Sequence, residues 1–72
     1  MNRGILLVVG ARIRQFRKMK NLSQEELAFM TGLHRTYIGS CERGERNIAI
    51  PNLAKICKAL DISLWEFFRA ID

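Results

Sequence analysis

The chain has few of the residues from which metal sites and disulfide scaffolds are built. Its 72 residues include one histidine and two cysteines, Cys41 and Cys57, which stand far apart. This spacing argues against both a zinc site and a disulfide framework. A reducing, cytoplasmic setting suits such cysteines, and we expect both to be small buried hydrophobic residues.

Long hydrophobic runs are also missing. The most apolar stretch, ILLVV at residues 5–9, is far shorter than the roughly 20 residues that a membrane-spanning helix needs. It has no convincing signal-peptide features either. We interpret it as packing surface and expect no membrane partner.

No set of side chains typical of catalysis is recognisable. The sequence shows no serine, histidine and aspartate set, no paired-carboxylate cleft, no glycine-rich phosphate loop and no metal cluster. We therefore expect no enzymatic activity, no cofactor, no metal and no small-molecule ligand.

What the chain does have is positive charge and enough apolar residues for one small core. Its net charge is +5, its isoelectric point is about 9.9, and 49% of its residues are hydrophobic. This charge favours a polyanionic partner such as nucleic acid or an anionic membrane. Residues 1–72 are predicted to form a single domain, which at this size benefits from self-association.

The segment QEELAFMTGLHRTYIGSCE, residues 24–42, has the pattern of two short helices joined by a tight turn. Ser23 and Glu26 form a capping box before the first helix, and Gly32 suits the left-handed backbone of the turn. Two steeply crossed helices, the second with a polar and cationic outer face, are typical of a helix-turn-helix that enters the DNA major groove. We predict helices at residues 24–30 and 35–41, within a motif at about residues 23–42.

Three further helices complete an all-α prediction, since no strand pattern is present. Val9, Ile13 and Phe16 form an apolar stripe at helical spacing. Pro51 suits a helix start, and a second capping box begins at Ser63. The remaining helices are therefore predicted at residues 6–20, from about residue 51, and from residue 63 to about residue 70.

Arg35 is the residue that we expect to read a base. A guanidinium at the start of a recognition helix can donate two hydrogen bonds to guanine O6 and N7. The alternative is an exposed, solvated arginine. Thr36 offers a methyl group and a hydroxyl to DNA, although it is nearly as well explained as an ordinary first-turn residue.

Other polar residues are predicted to bind phosphate. Tyr37 could place its hydroxyl on a phosphate, or its ring could cover the edge of the core, and the two are compatible. Arg17 is either a flanking phosphate contact or a solvated residue, and Arg17 or Arg14 could pair with Glu42. The predicted DNA-binding residues are Arg35, Thr36, Tyr37, Gln24, Ser40, Arg43, Arg46, Asn47 and Arg17.

Apolar residues are in excess near the C-terminal end. A two-turn helix can bury only one face on its own domain, so part of this cluster should be exposed and should mark an interaction surface. A two-fold homodimer is the simplest solution, while residues 5–9 folding back over the cluster is the alternative. The predicted dimer interface comprises Leu64, Trp65, Phe67, Phe68 and Ile71.

Four segments carry a resemblance to a known family: LSQEELA, TGLHRTYIG, ERGERN and NLAKICKAL. Over residues 10–68 the chain resembles the Cro/C1-type (XRE) helix-turn-helix family, and within it most of all the controller proteins of restriction–modification systems. The resemblance implies a five-helix, lambda-repressor-like DNA-binding domain. It also implies a homodimeric transcriptional regulator of its own operon, acting on a pseudo-palindromic operator.

Two residues depart from the family pattern, and two other functions stay open. Cys41 replaces a larger aliphatic residue, and Ala49 replaces the Ser or Thr that usually caps the fourth helix, at a cost of about 1 kcal/mol. An antitoxin or phage-type repressor would share the fold. A protein-interaction module would use the aromatic cluster and would need its charge only for solubility.

Overall fold

The computed structural model describes residues 3–69, and within them the chain forms five helices and no strand. This confirms the all-α, five-helix prediction. No helix in this part of the chain is long and apolar enough to cross a membrane. The helices are α1 (Arg3–Met19), α2 (Gln24–Thr31), α3 (Arg35–Glu42), α4 (Ile50–Ala59) and α5 (Leu64–Phe68).

The outer helices differ from the prediction at their ends. The first begins at Arg3 rather than residue 6. The last ends at Phe68 rather than near residue 70, because Arg69 has an extended backbone with φ −57° and ψ 130°. Arg12 of α1 explains this end: its side chain donates hydrogen bonds to the carbonyls of Phe67, at 2.9 Å, and of Arg69. These carbonyls are therefore satisfied without another helical turn.

One apolar core connects all five helices. Phe67 of α5 lies in this core with no exposed surface, and its ring centroid is 6.2 Å from that of Phe16 in α1. Its assignment to a dimer interface is therefore wrong. The largest fully buried side chains are Phe67, Ile13, Leu27, Ile38, Leu53, Ile56 and Leu60.

Helices α1 and α3 approach each other closely at Gly10. A Cβ atom at this position would lie 2.6 Å from the carbonyl oxygen of Glu42, a distance that real Cβ contacts essentially never show. Helix α3 thus packs directly against the backbone of α1. Nothing in the sequence pattern pointed to Gly10.

Candidate nucleic-acid interface

The helix-turn-helix is held by caps at both of its helices, and the capping box and turn glycine are those that the sequence predicted. The Ser23 hydroxyl accepts the Glu26 backbone N–H at 3.0 Å, and the Glu26 carboxylate accepts the Ser23 N–H at 2.8 Å. The hydrogen bond from the Ser23 backbone lowers the pKa of Glu26. Gly32 ends α2 with φ +73°. His34 then caps α3, because its Nδ1 atom accepts the Thr36 N–H at 3.1 Å.

The start of α3 presents polar side chains to solvent. Arg35 and Thr36 are both exposed, while Tyr37 is half-buried against the core. Arg35 lies beside Glu25 and Phe29 of α2, in a shallow depression. The two residues that we expected to contact bases therefore stand on the accessible side of the second helix of the motif.

A second cleft, between α3 and the start of α4, gathers several of the predicted residues. Tyr37, Ser40, Arg46 and Asn47 line it together with Asn52. Ser40 was expected to face outward, and this is wrong. It is buried, and its hydroxyl donates to the Tyr37 carbonyl at 2.9 Å within α3. The loop after α3 turns back on this end of the helix, since the Glu45 N–H donates to the Ser40 carbonyl at 2.9 Å.

Arg17 forms a buried ion pair with Glu42 that joins α1 to α3. The Arg17 Nε atom lies 2.6 Å from one Glu42 carboxylate oxygen, and its Nη2 atom lies 2.9 Å from the other. The remaining Nη1 donates to the Leu22 carbonyl at 2.7 Å. The hydrogen bond to Glu42 raises the pKa of Arg17. The partner proposed for Glu42 is confirmed, and the solvated interpretation of Arg17 is wrong.

This ion pair also orients Gln24 at the start of α2. The Gln24 side-chain amide donates to Glu42 at 3.0 Å, on the same carboxylate oxygen that accepts from Arg17 Nη2. Arg17 thus supports Gln24 from behind, with its N–H groups directed to protein acceptors. We therefore leave Arg17 out of the DNA-contacting set.

Asn52 is a residue of this cleft that sequence reasoning missed. Its side-chain amide donates to the Tyr37 hydroxyl at 3.0 Å, which joins α4 to the recognition helix. The Arg46 guanidinium carbon lies 5.2 Å from the centroid of the Tyr37 ring. No sequence signal marks Asn52, because the contact joins residues on separate helices.

The thiol of Cys41 lies behind this cluster. Burial raises the pKa of Cys41, and the Tyr37 hydroxyl and the charge of Arg46 offset part of that rise. The thiol is therefore protonated at neutral pH and packs as a small apolar group, as expected for both cysteines, which are free and buried. Among the described residues, no cluster of His, Cys, Asp or Glu could hold a metal ion.

Arg43 and Asn47 complete the exposed loop after α3. Arg43 pairs with Glu45 at 3.0 Å on the surface, and this pairing raises the pKa of Arg43. An exposed pair of this kind is held weakly. Its guanidinium is therefore free to exchange Glu45 for a phosphate.

Three of the apolar side chains predicted to form an interface on α5 are exposed, and Phe67 is not. Trp65 is 69% exposed, and Leu64 and Phe68 are 39% and 38% exposed. Ile71 lies outside the described residues. The alternative in which residues 5–9 cover the cluster is wrong, since Trp65 stays largely exposed and Ile5 and Val8 are exposed as well.

Comparison with known proteins assigns the chain to a family. The helix-turn-helix family HTH_3 matches residues 13–67, which span all of α2, α3 and α4. The chain belongs to this family. It is a DNA-binding transcriptional regulator of the XRE type and is not an enzyme.

Within the family, several of the similar proteins are restriction–modification controllers. Control protein C.BamHI of Bacillus amyloliquefaciens is 51% identical over 63 residues, which cover 86% of this chain and 78% of that protein. The crystal structure of the controller C.AhdI from Aeromonas hydrophila has a TM-score of 0.88 at 48% identity, covering 90% of this chain and 98% of that one.

A third relative has been solved together with DNA. The controller C.Esp1396I, as a tetramer on its natural 35 base-pair operator, has a TM-score of 0.82 at 41% identity. The match covers 88% of this chain and 83% of that one. These relatives support the controller interpretation over the antitoxin and phage-repressor interpretations.

Proposed function

We propose that this protein is the controller of a restriction–modification operon, a cytoplasmic homodimer that binds a pseudo-palindromic operator. The observation that carries the proposal is the match to controllers over nearly the whole chain, one of them solved on its operator. The helix-turn-helix geometry and the charge of +5 agree with it.

Helix α3 enters the major groove in the proposed complex. Arg35 contacts guanine, and Thr36 contacts a neighbouring base or phosphate. Both are exposed at the start of the helix, where side chains of recognition helices contact base edges. The capped turn supports this role, because it holds the helix start in one orientation.

Polar side chains on both sides of α3 bind DNA phosphates in the proposed complex. Gln24 is held at the start of α2 by the buried pair of Arg17 and Glu42, and a helix N-terminus favours phosphate. Arg43, Arg46 and Asn47 contact phosphates on the other side, from the exposed loop. Tyr37 and Ser40 belong to the cleft between these groups.

A two-fold dimer brings two such helices to one operator. The proposed interface comprises Leu64, Trp65 and Phe68 of α5, with Ile5 and Val8 of α1 as neighbours. Val8 lies one turn before Arg12, which is bound to the end of α5. Apolar surface from two helices is thus adjacent at the proposed two-fold axis.

Selection of bound duplexes from a random pool tests the proposal. We expect an enriched sequence with two inverted half-sites, and we expect it to occur upstream of the gene for this protein or of its neighbours. Gln15→Ala is a suitable control variant, because it removes an exposed amide of α1 outside the proposed surface. Enrichment of no sequence, or of a single unrepeated half-site, would contradict the proposal.

A further inference from the structure

We propose that Asn52 is a positioning residue for DNA binding: through Tyr37 it sets the orientation of Arg46, which contacts the DNA. This inference rests on the proposed function for its DNA partner. It adds a residue of α4, which lies outside the helix-turn-helix, to the residues on which operator binding depends.

The first step is the link between Asn52 and Tyr37. The Asn52 amide donates to the Tyr37 hydroxyl at 3.0 Å, so the far end of the ring is tied to α4. Ser40 ties the near end of the residue, since its hydroxyl donates to the Tyr37 carbonyl at 2.9 Å. Because the phenol hydroxyl lies on the long axis of the ring, this hydrogen bond fixes the direction of that axis and keeps the ring beside the loop after α3.

The second step is the contact between the Tyr37 ring and Arg46. The guanidinium carbon is 5.2 Å from the ring centroid, within the range of a cation–π interaction. Within residues 3–69, no protein acceptor takes up the N–H groups of Arg46, and the side chain is exposed. The ring is therefore the contact that restricts this arginine.

The third step concerns what this orientation does for DNA binding. A guanidinium held over the face of a ring makes no hydrogen bond to it, so its N–H donors stay available for phosphate or guanine. Arg46 would otherwise sample many rotamers on an exposed loop, and ordering it would reduce the affinity. The anchored ring reduces this loss of freedom before DNA arrives.

A mutant cycle measured on the selected operator duplex tests the inference. Tyr37→Phe keeps the ring and removes the hydroxyl, while Asn52→Ala removes its partner. Each single change should weaken binding about threefold to fivefold, and the double variant should bind no more weakly than either one. In an Arg46→Ala background neither change should weaken binding further, and Gln15→Ala should have no effect in any background.

Two outcomes would overturn the inference. If Tyr37→Phe still weakens binding fully in the Arg46→Ala background, the hydroxyl contacts DNA itself. If Asn52→Ala still weakens binding in a protein that already carries Tyr37→Phe and Arg46→Ala, Asn52 acts on the DNA directly or through the stability of α4. If the Asn52→Ala protein does not fold, the cycle of Tyr37→Phe with Arg46→Ala still tests whether the Tyr37 hydroxyl acts through Arg46.

A measurement without DNA separates this inference from the proposed function. Tyr37 is the single tyrosine of the chain, so ring-labelled tyrosine gives one set of NMR signals. Asn52→Ala and Arg46→Ala should each shift these signals, and Gln15→Ala should leave them in place. Unshifted signals in both variants would refute the anchored ring, even if operator binding is intact.

Discussion

Arg35 is the residue that we predict to read a base. Because its side chain is exposed at the start of α3, Arg35→Ala should weaken operator binding by about 1–3 kcal/mol and relax the preference at one base position per half-site. Competition with single-base operator variants measures both effects. An equal loss of affinity for every variant would make Arg35 a phosphate contact instead.

Arg43 should behave differently, because its predicted partner is a phosphate. Exchanging the surface contact with Glu45 for a phosphate releases counterions. Arg43→Gln should therefore weaken binding to all sequences and lower the log–log salt slope by about one per subunit. Titration at several salt concentrations measures the slope. Lys20→Gln, in the exposed turn after α1, is a charge-matched control. An unchanged slope for Arg43→Gln would exclude a direct phosphate contact.

Sequence reasoning at this scale succeeded for local contacts and failed for distant ones. The two capping boxes, at Ser23 and at Ser63, act within three residues, so spacing alone predicts them. Ser40 was misplaced because its burial depends on how other segments pack around α3, which the spacing of residues along α3 does not show. Asn52 was missed for the same reason, since its partner lies on another helix.

At the scale of helices, the contact between α1 and α3 is limited by backbone rather than side chains. Alanine is a better helix former than glycine by about 1 kcal/mol. Even so, Gly10→Ala should destabilise the fold by about 1–3 kcal/mol, because its Cβ would meet the carbonyls of Cys41 and Glu42. Chemical denaturation measures the change.

Gly39→Ala is the matched control for this substitution. Its Cβ would meet the ends of two flexible side chains, at 3.1 Å from Arg43 and 3.3 Å from Gln24, which can move. Its stability should therefore change by less than about 1 kcal/mol. A stable Gly10→Ala protein would mean that α1 and α3 can separate without cost.

The same two helices are joined by the ion pair of Arg17 and Glu42. Removing one partner leaves an uncompensated buried charge, so Glu42→Ala should lower the free energy of unfolding by about 3 kcal/mol. It should also weaken operator binding, because Gln24 loses its support. Urea unfolding at neutral pH measures the first effect, and Glu45→Ala, in the exposed pair with Arg43, should leave stability nearly unchanged. Equal stabilities of the two variants would contradict this account.

The position of each helix was predictable from capping and periodicity, but helix ends set by tertiary contacts were not. Ser63 and Glu66 correctly marked the start of α5. Its end depends on Arg12, which reaches across from α1 to the carbonyls of Phe67 and Arg69. No pattern within the last helix contains that information.

At the scale of the whole molecule, the division of aromatic residues between core and surface decides how the chain associates. The sequence foresaw an excess of apolar residues on α5 but could not divide it, because a five-residue helix shows too little periodicity. Phe67 completes the core, and Trp65 remains exposed beside Arg69, whose guanidinium carbon is 5.4 Å from its ring centroid. The exposed side chains of Leu64, Trp65 and Phe68 are the surface that we propose for self-association.

Dimerisation through this surface would set the spacing of the two half-sites in the operator. Trp65→Ala should shift the protein towards monomer and weaken operator binding, while thermal stability of the wild type should rise with its concentration. Met19→Ala is a matched control, because Met19 is 68% exposed at the end of α1, outside both the proposed interface and the proposed DNA-binding surface. Two-fold-related recognition helices in successive major grooves should place half-site centres about 34 Å, or roughly 10 bp, apart. Sedimentation at micromolar concentration is decisive, since a wild-type monomer with full operator affinity would exclude both the dimer and the palindrome.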